Sequence, residues 1–114
     1  MRCGIDIVQI SRIEDMACRH ERSLRKFFTE AELAYCRRRQ RQQYASLAGI
    51  FAAKEAFFKA LGTGFRQGKW TDVEVSHTEL GAPVFVLHGW YKEAAAAISR
   101  ELPALSISHD GAYA

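Results

Sequence analysis

Two periods of apolar residues alternate along the chain and predict its elements. "CGIDIVQI", Cys3 to Ile10, is rich in β-branched residues and predicts a first strand. Ser11-Arg12-Ile13-Glu14 has the form of a capping box and predicts a helix to about Arg22. At about 100° per residue, Ile13, Met16, Ala17 and His20 share one face of that helix, and Arg12, Arg19 and Arg22 share another. "FFTEAELAYCRRRQ" repeats the device with Thr29 and Glu32, predicting a second helix to about Arg39. The polar "RRRQRQQ" spans its end and a connection.

"QYASLAGIFAAKEAFFKALGTG" predicts the longest helix, stopped by Gly62. Leu47, Ile50, Phe51, Phe57, Phe58 and Leu61 make a bulky face. Ala45, Gly49, Ala52, Ala53, Ala56 and Ala60 make a smooth one, open to close backbone approach. A helix apolar on nearly every side is buried on nearly every side. Glu55 and Lys59 fall at the seam between the two faces.

Beyond it, "TDVEVSH" and "APVFVLH" alternate with period two and are joined by a turn containing Gly81 and Pro83. "GWYKEAAAAISREL" predicts a fourth helix and "ALSISHD" a further strand, with Asp110-Gly111 as a tight turn before "AYA". The order predicts an α+β fold, helices packed over a mostly antiparallel sheet. At 114 residues it forms a single domain, 1–114.

Composition narrows this only a little. Hydrophobic residues at 48% and charged residues at 25% exclude a disordered chain. The net charge of +3 is unevenly spread, with arginines concentrated in the first 41 residues, which suits an acidic partner. Cys3, Cys18 and Cys36 have neither the spacing of a metal or redox pair nor the even number of a secreted disulfide framework. No apolar run approaches the roughly 20 residues of a membrane span, and the N-terminus carries acids too early for a signal peptide. The expectation is a cytoplasmic protein with no membrane partner.

Several residues could carry chemistry. Asp6 sits in an apolar strand, where an ionised carboxylate is costly unless paired. Alone it reads as a strand-end acid facing water or capping the turn into the first helix rather than as a ligand. Glu55 and Lys59 have the spacing of a surface ion pair, yet their helix is apolar. Asp6 and Glu55 together suit magnesium, which takes hard oxygen ligands, and Lys59 one turn on suits a phosphate. "LGTGFRQGK" offers glycines that let amides approach an anion, without the spacing of a Walker loop. "CRRRQRQQY" is compatible with nucleic acid, but a helix end favours basic residues anyway. It is read as a solvated face, with no nucleic-acid partner expected.

The segments "GIDIVQISRIE", "FFTEAEL", "LAGIFAAKEAFFKALGTG", "DVEV", "GAPVF" and "SISHDGAYA" occur in an order that closely resembles the holo-acyl-carrier-protein synthases, the small type of 4′-phosphopantetheinyl transferase. The resemblance covers essentially the whole chain. It implies the phosphopantetheinyl transferase fold and transfer of the 4′-phosphopantetheine arm of coenzyme A to a serine of an apo acyl carrier protein. Adenosine 3′,5′-bisphosphate is the leaving product. By the same resemblance, Asp6 and Glu55 are the magnesium ligands and Lys59 the phosphate contact. Gly62, Thr63, Gly64, Ser108 and His109 border coenzyme A, and Arg12, Arg19 and Arg22 dock the carrier. A homotrimer with the site at its subunit interface is also implied. Two departures stand out. Ile50 replaces an arginine usual in the family, whose contact to the coenzyme or across the trimer is then either missing or supplied by Arg66 or Lys69. The family also continues beyond "YA" with an apolar strand. The rival reading is a non-catalytic module whose basic N-terminal half binds an acidic protein or RNA.

Overall fold

A computed structural model describes the chain from Met1 to Ala114. Five helices surround a two-stranded sheet: α1 (Ile10–Arg19), α2 (Glu21–Phe27), α3 (Glu30–Arg38), α4 (Gln43–Leu61) and α5 (Gly89–Ala96), with β1 (Val73–His77) and β2 (Pro83–Leu87) between α4 and α5. Short 3-10 turns, Gln40–Gln42 and Trp70–Asp72, precede α4 and β1. No helix is long and apolar enough to cross a membrane.

The α+β class holds, and α4 is its hub. Its residues Leu47, Ala48, Ile50, Ala52, Ala53, Phe57, Phe58 and Leu61 join Val8, Ile13, Leu24, Phe28 and Leu33 in one core. β1 and β2 pair antiparallel, Val75 opposite Phe85 and Val73 opposite Leu87. These four side chains are buried, so the period-two pattern sets one face of the hairpin against the helices. Gly62 ends α4 in the left-handed conformation, φ 88°, which a glycine adopts without strain. The Thr29 box also forms: its hydroxyl accepts from the Glu32 amide at 3.1 Å, and Glu32 accepts from the Thr29 amide at 2.8 Å.

Three expectations are corrected. The first helix breaks at His20, so Arg22 lies on α2, apart from Arg12 and Arg19 on α1. The Ser11–Glu14 box does not form, because α1 already begins at Ile10, after Gln9 has bridged to Tyr113. Ser11 is therefore inside the helix rather than at its cap. The fourth helix stops at Ala96 instead of running to Leu102, where its alanine run offers little apolar face to bury.

The terminal strands are a further correction. Residues 3–8 and 104–109 are extended but form no ladder with one another. The first is tied to the chain end by Val8 and Ala114, which exchange two backbone bonds at 2.9 and 3.0 Å, and Ile10 donates to Ala112 at 2.8 Å. The reason is spacing across α4. Gly4 lies so close to the helix that an added Cβ would stand 2.0 Å from the Ala56 carbonyl oxygen, while Ile107 touches the helix at Gly49. Those contacts are two helical turns apart, roughly 10 Å, or twice the spacing between paired strands. A groove of about 410 Å³, floored by Ala52, Ala53 and Ala56, separates the two segments.

One polar cluster lies within the core. Lys54 and Glu32 are both fully buried and paired at 2.8 Å. The Lys54 ammonium also donates to the carbonyls of Phe27 and of Trp70, the latter at 3.3 Å. The second Glu32 oxygen accepts from the Val75 amide at 2.8 Å. All three ammonium protons and both carboxylate oxygens are thus engaged, as a buried pair requires.

Candidate active site

The extended segment Gly4–Val8 lies beside α4, and this brings Asp6 to Glu55 and Lys59. Lys59 donates to Asp6 Oδ1 at 2.9 Å and to the Ile5 carbonyl at 3.0 Å. The Asp6 side chain is only 15% exposed, whereas Lys59 is 55% exposed, so this is an acid held at the mouth of a groove by a lysine reaching in from solvent. Burial raises the Glu55 pKa, and the nearby Asp6 charge raises it further; Lys59 and Arg12 act the other way. Two carboxylates, one lysine and one arginine therefore share a single electrostatic neighbourhood.

That donor set fits a hard cation. Two carboxylates close enough to oppose each other's charge offer oxygen ligands only, and no cluster of three or more histidines, cysteines or acids is formed. Magnesium is commonly held by one or two carboxylates, its other positions left to water and substrate phosphate. A zinc site would require more protein ligands than are gathered here.

The loop after α4 is surrounded by positive charge. Gly62 and Gly64 both have positive φ, 88° and 66°, and the Thr63 carbonyl accepts from Arg66 Nε at 2.8 Å. The Thr63 hydroxyl lies 3.3 Å from the Gly64 carbonyl. Arg2 donates to the Leu61 carbonyl at 2.8 Å, placing a guanidinium at the negative end of α4. Sequence reading missed Arg2, although a basic residue just ahead of an apolar strand was its available signal.

The other expected site residues are dispersed. Ser108 lines the same groove as Asp6. His109 instead lines a separate cleft of about 160 Å³ with Tyr35, Arg39, Ile50 and His77. The His77 ring stacks on Tyr35 at 3.8 Å, and its pKa is lowered by burial and then by Arg39. Within one chain, then, Asp6, Glu55 and Lys59 come together and His109 does not join them. Arg12 acts electrostatically on Glu55, while Arg19 pairs with Asp15 at 3.1 Å on the surface of α1.

This arrangement, two hard ligands and a lysine beside a glycine-rich loop, is suited to binding a metal-complexed phosphate ester. The 4′-phosphopantetheinyl transferase superfamily model matches residues 2–108, and the chain belongs to that family. It is 44% identical to the holo-[acyl-carrier-protein] synthase of Moorella thermoacetica, over 100% of this chain and 88% of that protein. The enzyme of the same name from Geobacter sulfurreducens is 45% identical, over 97% of this chain and 89% of the relative. Among solved structures, the Helicobacter pylori holo-[acyl-carrier-protein] synthase in complex with coenzyme A superposes with a TM-score of 0.81 at 32% identity, covering 97% of this chain and 92% of the other.

Proposed function

We propose that this protein transfers the 4′-phosphopantetheine group of coenzyme A to a serine of an apo acyl carrier protein in the cytoplasm, releasing adenosine 3′,5′-bisphosphate. The observation that carries this reading is the meeting of Asp6, Glu55 and Lys59 at the end of α4, one turn before the Gly62–Gly64 loop. In the reaction, the serine hydroxyl gives up its proton to water or a site carboxylate as its oxygen forms a bond to the phosphorus that bears the pantetheine arm. The bond from that phosphorus to the bridging pyrophosphate oxygen breaks.

Phosphoryl transfer of this kind depends on positioning and charge neutralisation more than on covalent chemistry by the protein. Asp6 and Glu55 would hold magnesium, which when bound supplies positive charge to the pyrophosphate. Lys59 turns from Asp6 to a phosphate oxygen, and its exposure leaves it free to do so. Gly62, Thr63 and Gly64 present a loop that follows the phosphates, with Arg2 and Arg66 at its two sides. Arg12, beside the carboxylates, and Arg19 on α1, with Arg22 contributed separately by the adjoining α2, form the docking surface for an acidic carrier. Such charges speed encounter and fix orientation more than they add affinity.

The place of His109 in a separate cleft, while Ser108 lines the groove of Asp6, supports a homotrimer in which the two residues border the coenzyme at a subunit interface. Ile50 shares the His109 cleft with Arg39, so Arg39 is the cation placed where Ile50 brings none.

The test is intact mass spectrometry of apo carrier proteins incubated with this protein, coenzyme A and magnesium. A mass gain equal to one phosphopantetheine is expected, lost in Asp6→Ala and Glu55→Ala while circular dichroism stays that of the parent. No gain with any carrier, beside a working control enzyme, would overturn the activity. Full turnover by either variant would overturn the ligand assignment alone.

A further inference from the structure

We propose that Lys54 is a positioning residue for its neighbour Glu55, fixing the rotation and height of α4 so that Glu55 and Lys59 meet Asp6; the inference rests on the metal-and-phosphate reading of that site. Lys54 touches none of the reacting groups. Its ammonium is fully buried and bonds to acceptors on three elements outside α4: the Phe27 carbonyl at the end of α2, Glu32 on α3, and the Trp70 carbonyl in the 3-10 turn. Glu32 is itself fixed by the amides of Thr29 and Val75, which adds β1 to the frame.

α4 needs such a fixing point. Its smooth face of Ala52, Ala53, Ala56 and Ala60 floors the groove, and small side chains have little to interlock with a neighbour. Hydrophobic burial is itself non-directional, so the bulky face of α4 seats the helix in the core while small rotations and slides are left to directional bonds. Three hydrogen bonds in different directions set both. Stability alone would not call for an ion pair here, since apolar groups of similar volume often replace a buried pair without loss. Specificity of placement is the property that the pair supplies.

The leverage is short. Lys54 and Glu55 are consecutive, about 100° apart around the axis, so any rotation that releases one swings the other. A carboxylate about 6 Å from the axis moves by about 1 Å for a 10° turn. Displacements of that size cost on the order of 100-fold in rate at sites that depend on alignment.

The experiment separates placement from stability. Lys54→Met leaves Glu32 buried without its cation, and should lower both the thermal midpoint and Mn²⁺ affinity, measured by electron paramagnetic resonance. In Lys54→Met/Glu32→Gln no charge is left buried. Its thermal midpoint should rise above that of Lys54→Met, since no buried charge is left unpaired, while Mn²⁺ affinity stays at least about ten-fold weaker than the parent's, the usual scale for losing support behind a metal ligand. Recovery of both would overturn the proposal and leave Lys54 a stabilising group only. Should the double variant fail to fold, Lys54→Arg keeps the charge but not the compact three-way ammonium, and the same comparison applies to it. If the parent protein itself binds no Mn²⁺, the metal reading fails. The placement is then read in the metal-free protein, from nuclear Overhauser contacts between Lys59 and Ile5–Asp6. Loss of these contacts in the charge-free variant supports the proposal and their persistence overturns it.

Discussion

Gly4→Ala is the smallest change that should separate the two halves of the site. A Cβ on residue 4 would lie 2.0 Å from the Ala56 carbonyl oxygen and 2.8 Å from the Ala60 nitrogen. Real Cβ atoms essentially never come closer than 3.0 Å, so relief requires at least 3.0 − 2.0 = 1.0 Å of movement. The α4 backbone is locked in its own hydrogen bonds and cannot yield. By contrast, none of the backbone amides from Cys3 to Ile7 donates to another backbone group, so this segment is the part that moves. A 1.0 Å retreat directed away from Lys59 would stretch its bonds to Ile5 and Asp6, now 3.0 and 2.9 Å, to about 4 Å, beyond hydrogen-bond range. The expected result is a loss on the order of 100-fold in kcat/KM for carrier modification. The accompanying loss of stability should be about 1 kcal/mol, the low end of the overpacking range, because a loosely held segment absorbs the strain. Initial rates by mass spectrometry, beside thermal denaturation, measure both. A variant with parental turnover would refute the idea that close approach at Gly4 sets the position of Asp6.

Two further outcomes follow from buried or crowded polar groups. The raised Glu55 pKa means that the folded protein binds this proton more tightly than the unfolded chain, so stability falls as pH rises from the ordinary glutamate value through the raised one. In metal-free protein, Glu55→Gln should therefore gain thermal stability over the parent as pH goes from about 4 to about 7, and an advantage that stays flat or shrinks over that range would contradict the sign. The buried Tyr91 hydroxyl makes no hydrogen bond of full geometry, although the Arg66 and Gln67 amides approach it. Tyr91→Phe should then be neutral or stabilising by about 1 kcal/mol in denaturant titrations, whereas a clear loss would mean that the hydroxyl is satisfied.

Elements specified by neighbouring residues were legible from the chain. The Thr29 cap, the Gly62 stop and the β1–β2 hairpin each depend on a few adjacent side chains. Features set by distant partners were not. The break at His20 has no glycine or proline to announce it, and the unpaired terminal segments depend on where two strands cross α4. The candidate site was half legible. Glu55 and Lys59 were singled out for lying on a buried helix, yet the fully buried ion on that helix is Lys54. Its signal was present: Ile50, Phe51, Phe57 and Phe58 stand at i−4, i−3, i+3 and i+4, an apolar surround that at Glu55 is broken by Lys59 at i+4. Its partner Glu32 was already assigned to a helix cap. Nothing local shows that one carboxylate does both jobs.

The segment that carries Asp6 also divides the site into unequal parts. Glu55 and Lys59 ride on the hub helix, which opens only when the core does. Asp6 rides on a stretch held at Val8 and by Lys59, with free amides between. Hydrogen exchange should thus find the two carboxylates in different cooperative units, one slow and one fast. A ligand that bridges them spends part of its binding energy joining those units, and its arrival is recorded as new protection at Gly4 to Ile7, away from the chemistry itself.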